Sequence, residues 1–249
     1  MKNKNFRFYS EYYDLFYKEK DYVKEVCFIL KLLKKNKVNT GNILEFGSGT
    51  GKHAVLLAKN AFSVTGIESS KEMVLRSKKE KNFTVHYGDI KTTNLGKKFD
   101  VILSLFHVLS YQVSNKDINL VFSNAARHLK SGGLFFFDIW YTPAVVSQTA
   151  VVRVKKVVNE NFELIRIAEP FNYPNENKIL VKYTFYLRNF KNNVSKIFTE
   201  DHYMRHFSTP EINLLADFHG FKILSSSEFP SNSVPSEKTW SIGFLLKKL

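Results

Sequence analysis

The chain has 249 residues, 44% of them hydrophobic, and a formal net charge of +14. That is enough apolar material for one good core, or for one core with a subdomain, and no run of eighteen apolar residues offers a membrane span. A single cysteine, Cys27, excludes an intramolecular disulfide and a multi-cysteine zinc site, and with Asp138 the lone acid near the ends of the fourth and fifth candidate strands no metal is expected.

The surplus of positive charge invites a nucleic-acid reading, because basic surfaces attract phosphates. Lysine, however, supplies 30 of the 37 basic residues, and Asn, Ile and Phe are abundant too, a pattern that points to AT-rich coding. No basic block runs beyond two or three residues, so nucleic acid is not the expected partner. The opening "MKNKNFRFYSEYYDLF" is too polar and aromatic for the apolar region of a signal peptide, and a cytoplasmic protein is expected.

In chain order, "YSEYYDLFYKEKDYVKEVCFILKLLKK" reads as an aromatic lead-in followed by an amphipathic helix, with Val23, Val26, Ile29, Leu30 and Leu33 at helical spacing and Cys27 as a core residue of that helix. Short apolar runs then alternate with helical patterns. The strands are "NILEFG", "SVTGIE", "TVHYG", "FDVILSL" and "LFFFDIW", with helices near 52–60, 70–80 and 115–130. This alternation predicts an α/β fold: a Rossmann-like, doubly wound, seven-stranded and mostly parallel sheet with helices on both faces. After Trp140 the period changes. The stretch up to Phe207 is rich in β-branched and aromatic residues with no long helical period, which predicts an antiparallel β-sheet inserted after the fifth strand. A helix near 209–219 and strands "FKILSS" and "WSIGFLLKK" complete the core. The expected organisation is 1–146 for the helical lead-in and cofactor-binding core, 147–206 for the inserted sheet, and 207–249 for completion of the core.

The loop "GSGTGKH" follows the first strand and opens the first core helix, a place where backbone can approach a nucleotide-like ligand closely. A phosphate-binding P-loop needs four residues between its first Gly and Gly-Lys and then Ser or Thr; here there are three and a His. The dinucleotide fingerprint Gly-x-Gly-x-x-Gly is also absent, although Glu68 ends the second strand where an acid could hold ribose hydroxyls. With "LEFGSGTGK", Glu68, "GDI", "FDVILSLFHVLSY" and "HLKSGGLFFFDIW" in order over residues 42–140, the chain resembles class I S-adenosylmethionine-dependent methyltransferases. Adenosylmethionine carries no phosphate, so close backbone approach and a separate carboxylate suffice to hold it. "YYDLFYKEKDY", "FHVLSY", "FFFDIWYTP" and "EDHYMRHFSTPEINLLADFHGFKIL" further resemble bacterial N-methyltransferases that dimethylate amino groups of nucleotide-linked deoxysugars.

The resemblance implies a site residue by residue. Tyr13 and Tyr22 would close over S-adenosylmethionine, or over its product S-adenosylhomocysteine. Glu45, Gly47, Gly49, Gly51 and His53 belong to the first motif, the three glycines lining the methionine and ribose portions. Glu68 with Ser69 would hold the ribose, Met73 would pack on adenine, and Asp89 and Ile90 would meet the adenine edge. The backbone near Leu105 would meet the methionine amino group. His53 also reads as a first-turn surface residue, and Met73 as an ordinary helix core residue.

One departure concerns the chemistry. Where those relatives place a His near the acceptor this sequence has Tyr111, and a His stands one turn earlier as His107. His107, Tyr111 and Tyr13 are the residues for catalysis, with His107 either assisting proton removal or simply bonded at a helix start. Asp138 would bind the acceptor amine or cap the next segment. Trp140, Tyr141, Arg153, Arg166, Tyr203, Arg205 and Trp240 could supply stacking faces and phosphate-seeking forks to a nucleotide sugar. The inserted sheet is thus an acceptor cover or a dimerisation surface, in a monomer or homodimer. The competing readings are, in order, a methyltransferase for another small amine or hydroxyl acceptor, an RNA methyltransferase, and a catalytically silent cofactor-binding partner subunit.

Overall fold

The computed structural model describes residues 9–249. Residues 1–8, where the reading of the chain's opening begins, lie outside the described residues. Helices α1 (Tyr9–Phe16) and α2 (Tyr22–Lys35) lead into strand β1 (Gly41–Phe46), α3 (Lys52–Ala58), β2 (Phe62–Glu68), α4 (Lys71–Leu75), β3 (Phe83–Tyr87) and β4 (Phe99–Ser104). A 3-10 turn at Val108–Tyr111 and α5 (Asn115–His128) connect to the long strand β5 (Leu129–Tyr141). After α6 (Thr142–Ser147) come β6 (Arg153–Val158), β7 (Phe162–Tyr173), β8 (Lys178–Asn189) and β9 (Ser195–Phe207), then α7 (Thr209–Phe218), β10 (Phe221–Glu228) and β11 (Ser241–Lys248).

The core sheet runs β3-β2-β1-β4-β5, all parallel, and continues through β11 and β10, with β11 antiparallel to β5. These are the seven mostly parallel strands expected. Strand order reverses between β1 and β4, so a crevice opens beyond their carboxyl ends, where ligands of such sheets bind.

Side-chain alternation puts a core on each face. Along β5, Phe135, Phe137 and Ile139 pack with Ile118, Val121 and Phe122 of α5 and with Ile212 and Ala216 of α7, whereas Leu134 and Phe136 face Val26, Ile29 and Leu33 of α2 and Ala54 and Leu57 of α3. The helices start where side chains satisfy free amides: Asp21 accepts from Lys24 N–H at 2.8 Å, Ser70 from Met73 N–H at 3.2 Å, and Ser114 from Asp117 N–H at 3.0 Å.

Three local expectations change. The helix expected near 70–80 stops at Leu75, because "RSKKEKN" offers no apolar face to bury. On α2, Val23 is exposed, and so is Cys27, which is therefore not a core residue; Val26, Ile29 and Leu33 carry the buried stripe. The inserted antiparallel strands β6 to β9 are also not a separate sheet. β11 holds one edge of β5 as far as Trp140, β4 leaves the other edge after Phe137, and β9 takes up that edge with Trp140 opposite His206 and Tyr141 opposite Phe207. The eleven strands therefore form one continuous sheet.

A third cluster fastens α1 to the inserted strands through Tyr9, Phe16, Leu164 and Phe185. Among the described residues no helix is long and apolar enough to cross a membrane. The loop after β3 is tied to α5 by Asn124, whose Nδ2 donates to the carbonyls of Ile90 at 2.8 Å and Thr93 at 3.1 Å. Asn124→Ala strips both carbonyls of this donor, the Ile90 one buried, and should lower unfolding free energy by about 2 kcal/mol, read from urea denaturation.

Candidate active site

A cavity of about 890 Å³ occupies the crevice, near the upper end of the ~300–1,000 Å³ range of small-molecule sites. Its floor is the glycine loop. Gly47, Gly49 and Gly51 have φ of +70°, +55° and +78°, backbone that side chains adopt with strain. The three serve different ends. A Cβ on Gly47 would meet Val108 at 2.6 Å and one on Gly51 would meet Phe83 at 2.5 Å, whereas one on Gly49 meets nothing within 4 Å and would project into open space. Gly47 and Gly49 line the cavity; Gly51 does not, and its smallness serves the packing of β3 instead.

Glu68 sits at the end of β2, and its two oxygens accept from Gly49 N–H at 2.9 Å and Ser70 N–H at 2.8 Å. Burial raises its pKa, against the pull of backbone amides of Ser70, Gly49 and Ser69. Each carboxylate oxygen keeps a further lone pair, so the group can still accept from hydroxyls presented in the cavity. Ser69, Met73, Asp89, Ile90 and Leu105 line the same end. Asp89 Oδ1 accepts from Lys91 N–H at 2.9 Å, which fixes its carboxylate at the cavity edge.

The other end of this floor is closed by Tyr22 and His53, whose rings meet edge to face at 4.9 Å. His53 is not a surface residue: it is 6% exposed, and its Nε2 lies 2.6 Å from Glu25 Oε2. Glu45 does not line the cavity. Strand alternation turns it to the α2 and α3 face, where its Oε1 is 3.8 Å from His53 Nδ1 and its Oε2 has no partner. Burial, with the negative charge of Glu68 added, pushes its pKa up to about 8.

Above the floor, β4 ends in two consecutive left-handed residues, Phe106 (φ 64°) and His107 (φ 62°), a conformation that costs on the order of 1–3 kcal/mol per residue and recurs at functional sites. Asp138 of β5 compensates. It accepts from His107 N–H at 3.3 Å, and its Oδ2 lies 2.8 Å from His107 Nδ1, a contact whose angle falls short of a hydrogen bond. Burial would raise the Asp138 carboxyl, yet the His107 imidazole and amide, with Lys20, hold it below the usual carboxylate range. Asp138 is 1% exposed and off the cavity, so it neither meets an acceptor nor caps α6; it orients His107, which does line the cavity.

The far wall is aromatic. Tyr13, Tyr111, Trp140 and Tyr203 line it as expected positions, together with residues not assigned a role from the sequence: Tyr9 and Tyr17 from the N-terminal segment, Phe106, Gln112, and Val181, Tyr183 and Asp201 from the inserted strands. Tyr111 Oη lies 3.0 Å from His202 Nδ1, and His202 Nε2 lies 3.1 Å from Glu200 Oε2. Both partners are buried, and the alternation Glu-x-His-x-Met in "EDHYM" was the sequence signal for their inward direction.

Five acceptor-side expectations fail for identifiable reasons. Arg153 is exposed on edge strand β6. Arg166 is enclosed by tyrosines, donating to Tyr9 Oη at 2.5 Å with its guanidinium 4.9 Å from the Phe16 ring and 5.1 Å from that of Tyr183. Arg205 is paired with Glu211, Tyr141 packs into the core with its hydroxyl 3.4 Å from Thr209 Oγ1, and Trp240 donates to Gln148 Oε1 at 2.9 Å. None of the five lines the cavity.

The raised Glu45 pKa has a signed consequence. The unfolded chain ionises this carboxyl near its ordinary value while the fold keeps it protonated, so its contribution to stability is complete below pH ~4.5 and fades as pH rises toward about 8. Wild-type stability should therefore fall more steeply across that window than that of Glu45→Gln, as denaturation at a series of pH values will show; parallel curves would mean that Glu45 is charged in the fold.

With this geometry in place, similarity to known proteins can be stated. Residues 43–133 match the model of a family described as methyltransferase domain. The chain is 29% identical over 138 residues to the dTDP-3-amino-3,4,6-trideoxy-alpha-D-glucopyranose N,N-dimethyltransferase of Streptomyces venezuelae, a match covering 54% of this chain and 58% of that one. It spans about half the length of the curated relatives it matches first, between 50% and 58%. Its fold superposes on an S-adenosylmethionine-dependent methyltransferase from Clostridium acetobutylicum at TM-score 0.79 and 23% identity, covering 99% of each chain. The sugar N-methyltransferase of a Streptoalloteichus species gives TM-score 0.80 at 19% identity, over 93% of this chain and 91% of that one. Residues 43–133 thus match a methyltransferase domain, and the fold as a whole is one that solved methyltransferases share.

Proposed function

We propose that the chain is a cytoplasmic S-adenosylmethionine-dependent N-methyltransferase acting on the amino group of a small molecule, with nucleotide-linked aminodeoxysugars as the acceptor class. The observation that carries this reading is the continuity of the cavity. One space runs from Gly49, Glu68 and Asp89 past Leu105 and His107 to the wall of Tyr111, Trp140 and Tyr203, so two ligands can meet at the end of β4.

The cofactor end fits its ligand. Glu68 keeps acceptor capacity for ribose hydroxyls, Met73 and Ile90 offer apolar surface to adenine with Asp89 at its edge, and the open side of Gly49 admits a ligand where a side chain would stand. Carboxylates at this end favour a cationic ligand over a phosphate-bearing one. Bound there, S-adenosylmethionine supplies a methyl group on positively charged sulfur.

The remaining work belongs to the chain. The acceptor nitrogen must be neutral and in line with the methyl group, and holding reactants so can supply much of the acceleration, with effective molarities of ~10^5 M or more. Leu105 and Phe106 bring the β4 backbone to the meeting point, and His107 presents an imidazole there, oriented by Asp138, to take a hydrogen bond from the amine. The tyrosine wall excludes water and offers ring faces to a cationic amine as it enters.

The acceptor class is supported by the relatives' named substrates and by the aromatic wall. A nucleoside diphosphate would have to be met by groups other than Arg153, Arg166 and Arg205; Lys52 and Lys91 line the cavity.

Two measurements check these statements. S-adenosylhomocysteine should bind in a calorimeter, and Glu68→Ala should weaken it by about 2 kcal/mol, the scale of charge-assisted hydrogen bonds; undiminished affinity would remove Glu68 from the cofactor site. Mass spectrometry over a panel of amino, hydroxyl and carboxyl acceptors, each with and without a nucleoside diphosphate, should show mass gain on amines. Transfer to hydroxyls alone, or to bulk RNA, would overturn the acceptor reading.

A further inference from the structure

An amine that enters the cavity as an ammonium ion has no lone pair to attack with, and the space it enters is walled by tyrosines. Its proton needs a way out. Tyr111 stands on that wall, and behind it runs a chain of contacts that crosses from the core into the inserted sheet. Tyr111 Oη is 3.0 Å from His202 Nδ1, His202 Nε2 is 3.1 Å from Glu200 Oε2, and Glu200 Oε1 accepts from Tyr9 N–H at 3.0 Å.

We propose that Tyr111, His202 and Glu200 form a proton relay that takes the proton from the acceptor amine before methyl transfer. This rests on the amine-methylation reading above. Glu200, accepting at Nε2, fixes the His202 tautomer with its proton there, so Nδ1 carries a lone pair and Tyr111 donates to it. Tyr111 lines the cavity, where its hydroxyl oxygen can also accept from the amine.

The step balances without a co-reactant. The N–H bond of the ammonium breaks and its proton goes to Tyr111 Oη; the hydroxyl proton of Tyr111 goes to His202 Nδ1; the resulting imidazolium lies beside the Glu200 carboxylate. The freed nitrogen lone pair attacks the methyl group. After product leaves, His202 returns a proton to Tyr111 Oη, and water entering the cavity takes the other.

Tyr111 relays rather than stores charge, because burial drives its phenol well above the ordinary value. Among the described residues, His202 is faced by the Tyr183 ring of β8 at 4.8 Å, the Tyr111 ring at 5.8 Å and the Tyr9 ring of α1 at 5.9 Å, beside Glu200 on its own strand, with Arg166 and Tyr17 beyond them. The phenols of Tyr9 and Tyr183 are also driven up, chiefly by burial, and stay neutral across the working range. His202 and Glu200 act through Tyr111 and are positioning residues.

The experiment follows kcat of the full chain with dTDP-3-amino-3,4,6-trideoxyglucose as probe between about pH 6 and 10, a span that brackets amine ionisation. His202→Gln and Glu200→Gln keep polar groups in place but cannot pass the proton on. Each should lose about 10- to 100-fold at the acid end and recover toward wild type at the alkaline end, where solvent has already deprotonated the amine. An equal loss at every pH, or none, overturns the relay. Calorimetry with S-adenosylhomocysteine checks that each variant is folded; should either not fold, Tyr111→Phe, which removes a single hydroxyl, carries the same profile. Nitrogen-15 NMR of labelled histidine gives a reading that needs no turnover. His202 should carry its proton on Nε2, and its Nδ1 resonance should move in Tyr111→Phe; a proton on Nδ1 overturns the relay. If wild type methylates no amine while this NMR pattern holds, the failure lies with the proposed acceptor and not with the hydrogen-bonded chain.

Discussion

Two backbone pairs, Trp140 with His206 and Tyr141 with Phe207, decide where the inserted strands stand relative to the crevice. β5 has 13 residues and β4 six, so beyond Phe137 one edge of β5 is without its partner, and unpaired strand edges are satisfied by whatever strand can reach them. β9 does so in parallel with β5, continuing one sheet across the active site. From that junction the register of β8 on β9 carries Tyr183 opposite Glu200 and Val181 opposite His202, and Tyr183 and Val181 complete a wall that the core alone lacks. The contact between Tyr111 and His202 spans 91 residues of sequence and exists because of this junction.

Three buried acids show how local partners set charge around the same crevice. Glu45 has a distant His53 and an unpartnered oxygen, and burial dominates: its pKa rises to about 8. Glu68 is also buried, but backbone amides of Ser70, Gly49 and Ser69 oppose burial and moderate the rise. Asp138, 1% exposed, falls below its usual range because His107 offers both an imidazole and an amide. The difference is the number of donors within reach, not depth. It leaves a carboxylate at the point where ribose hydroxyls would be held and another where an imidazole must be kept in place, while the acid facing α2 and α3 is the one left protonated.

Much of the core was legible because its rules are local. Alternation of short apolar runs with helices gives the seven strands, and the glycine loop after β1 and the acid ending β2 fall on the crevice because strand order reverses there. What stayed hidden depends on contacts across long separations. Arg166 looked available to a phosphate, but the tyrosines that enclose it come from α1, β8 and the segment between α1 and α2, some 150 residues earlier in two of the three cases. Glu45 belongs to the glycine motif, yet period-two alternation sends it to the opposite face from its neighbours Leu44 and Phe46. Cys27 lies between buried Val26 and half-buried Phe28, and a single helical step of 100° separates core from solvent.

The position where resembling enzymes carry a histidine shows why a residue and its chemistry need not share an address. Here it is Tyr111, and a phenol whose pKa burial has raised is a poor base. Its hydroxyl, however, touches His202, so an imidazole remains one hydrogen bond away from the cavity instead of on its surface. A hydroxyl can accept and donate at once, and it transmits a proton without holding charge in an apolar wall, where an imidazolium in direct contact with a cationic amine would be repelled. Placing the imidazole behind the tyrosine, against Glu200 and under the ring of Tyr183, separates the two positive charges and gives the displaced one its counterion. The inserted strands thus bring to within one hydrogen bond of the cavity wall a histidine that the core does not supply at that position.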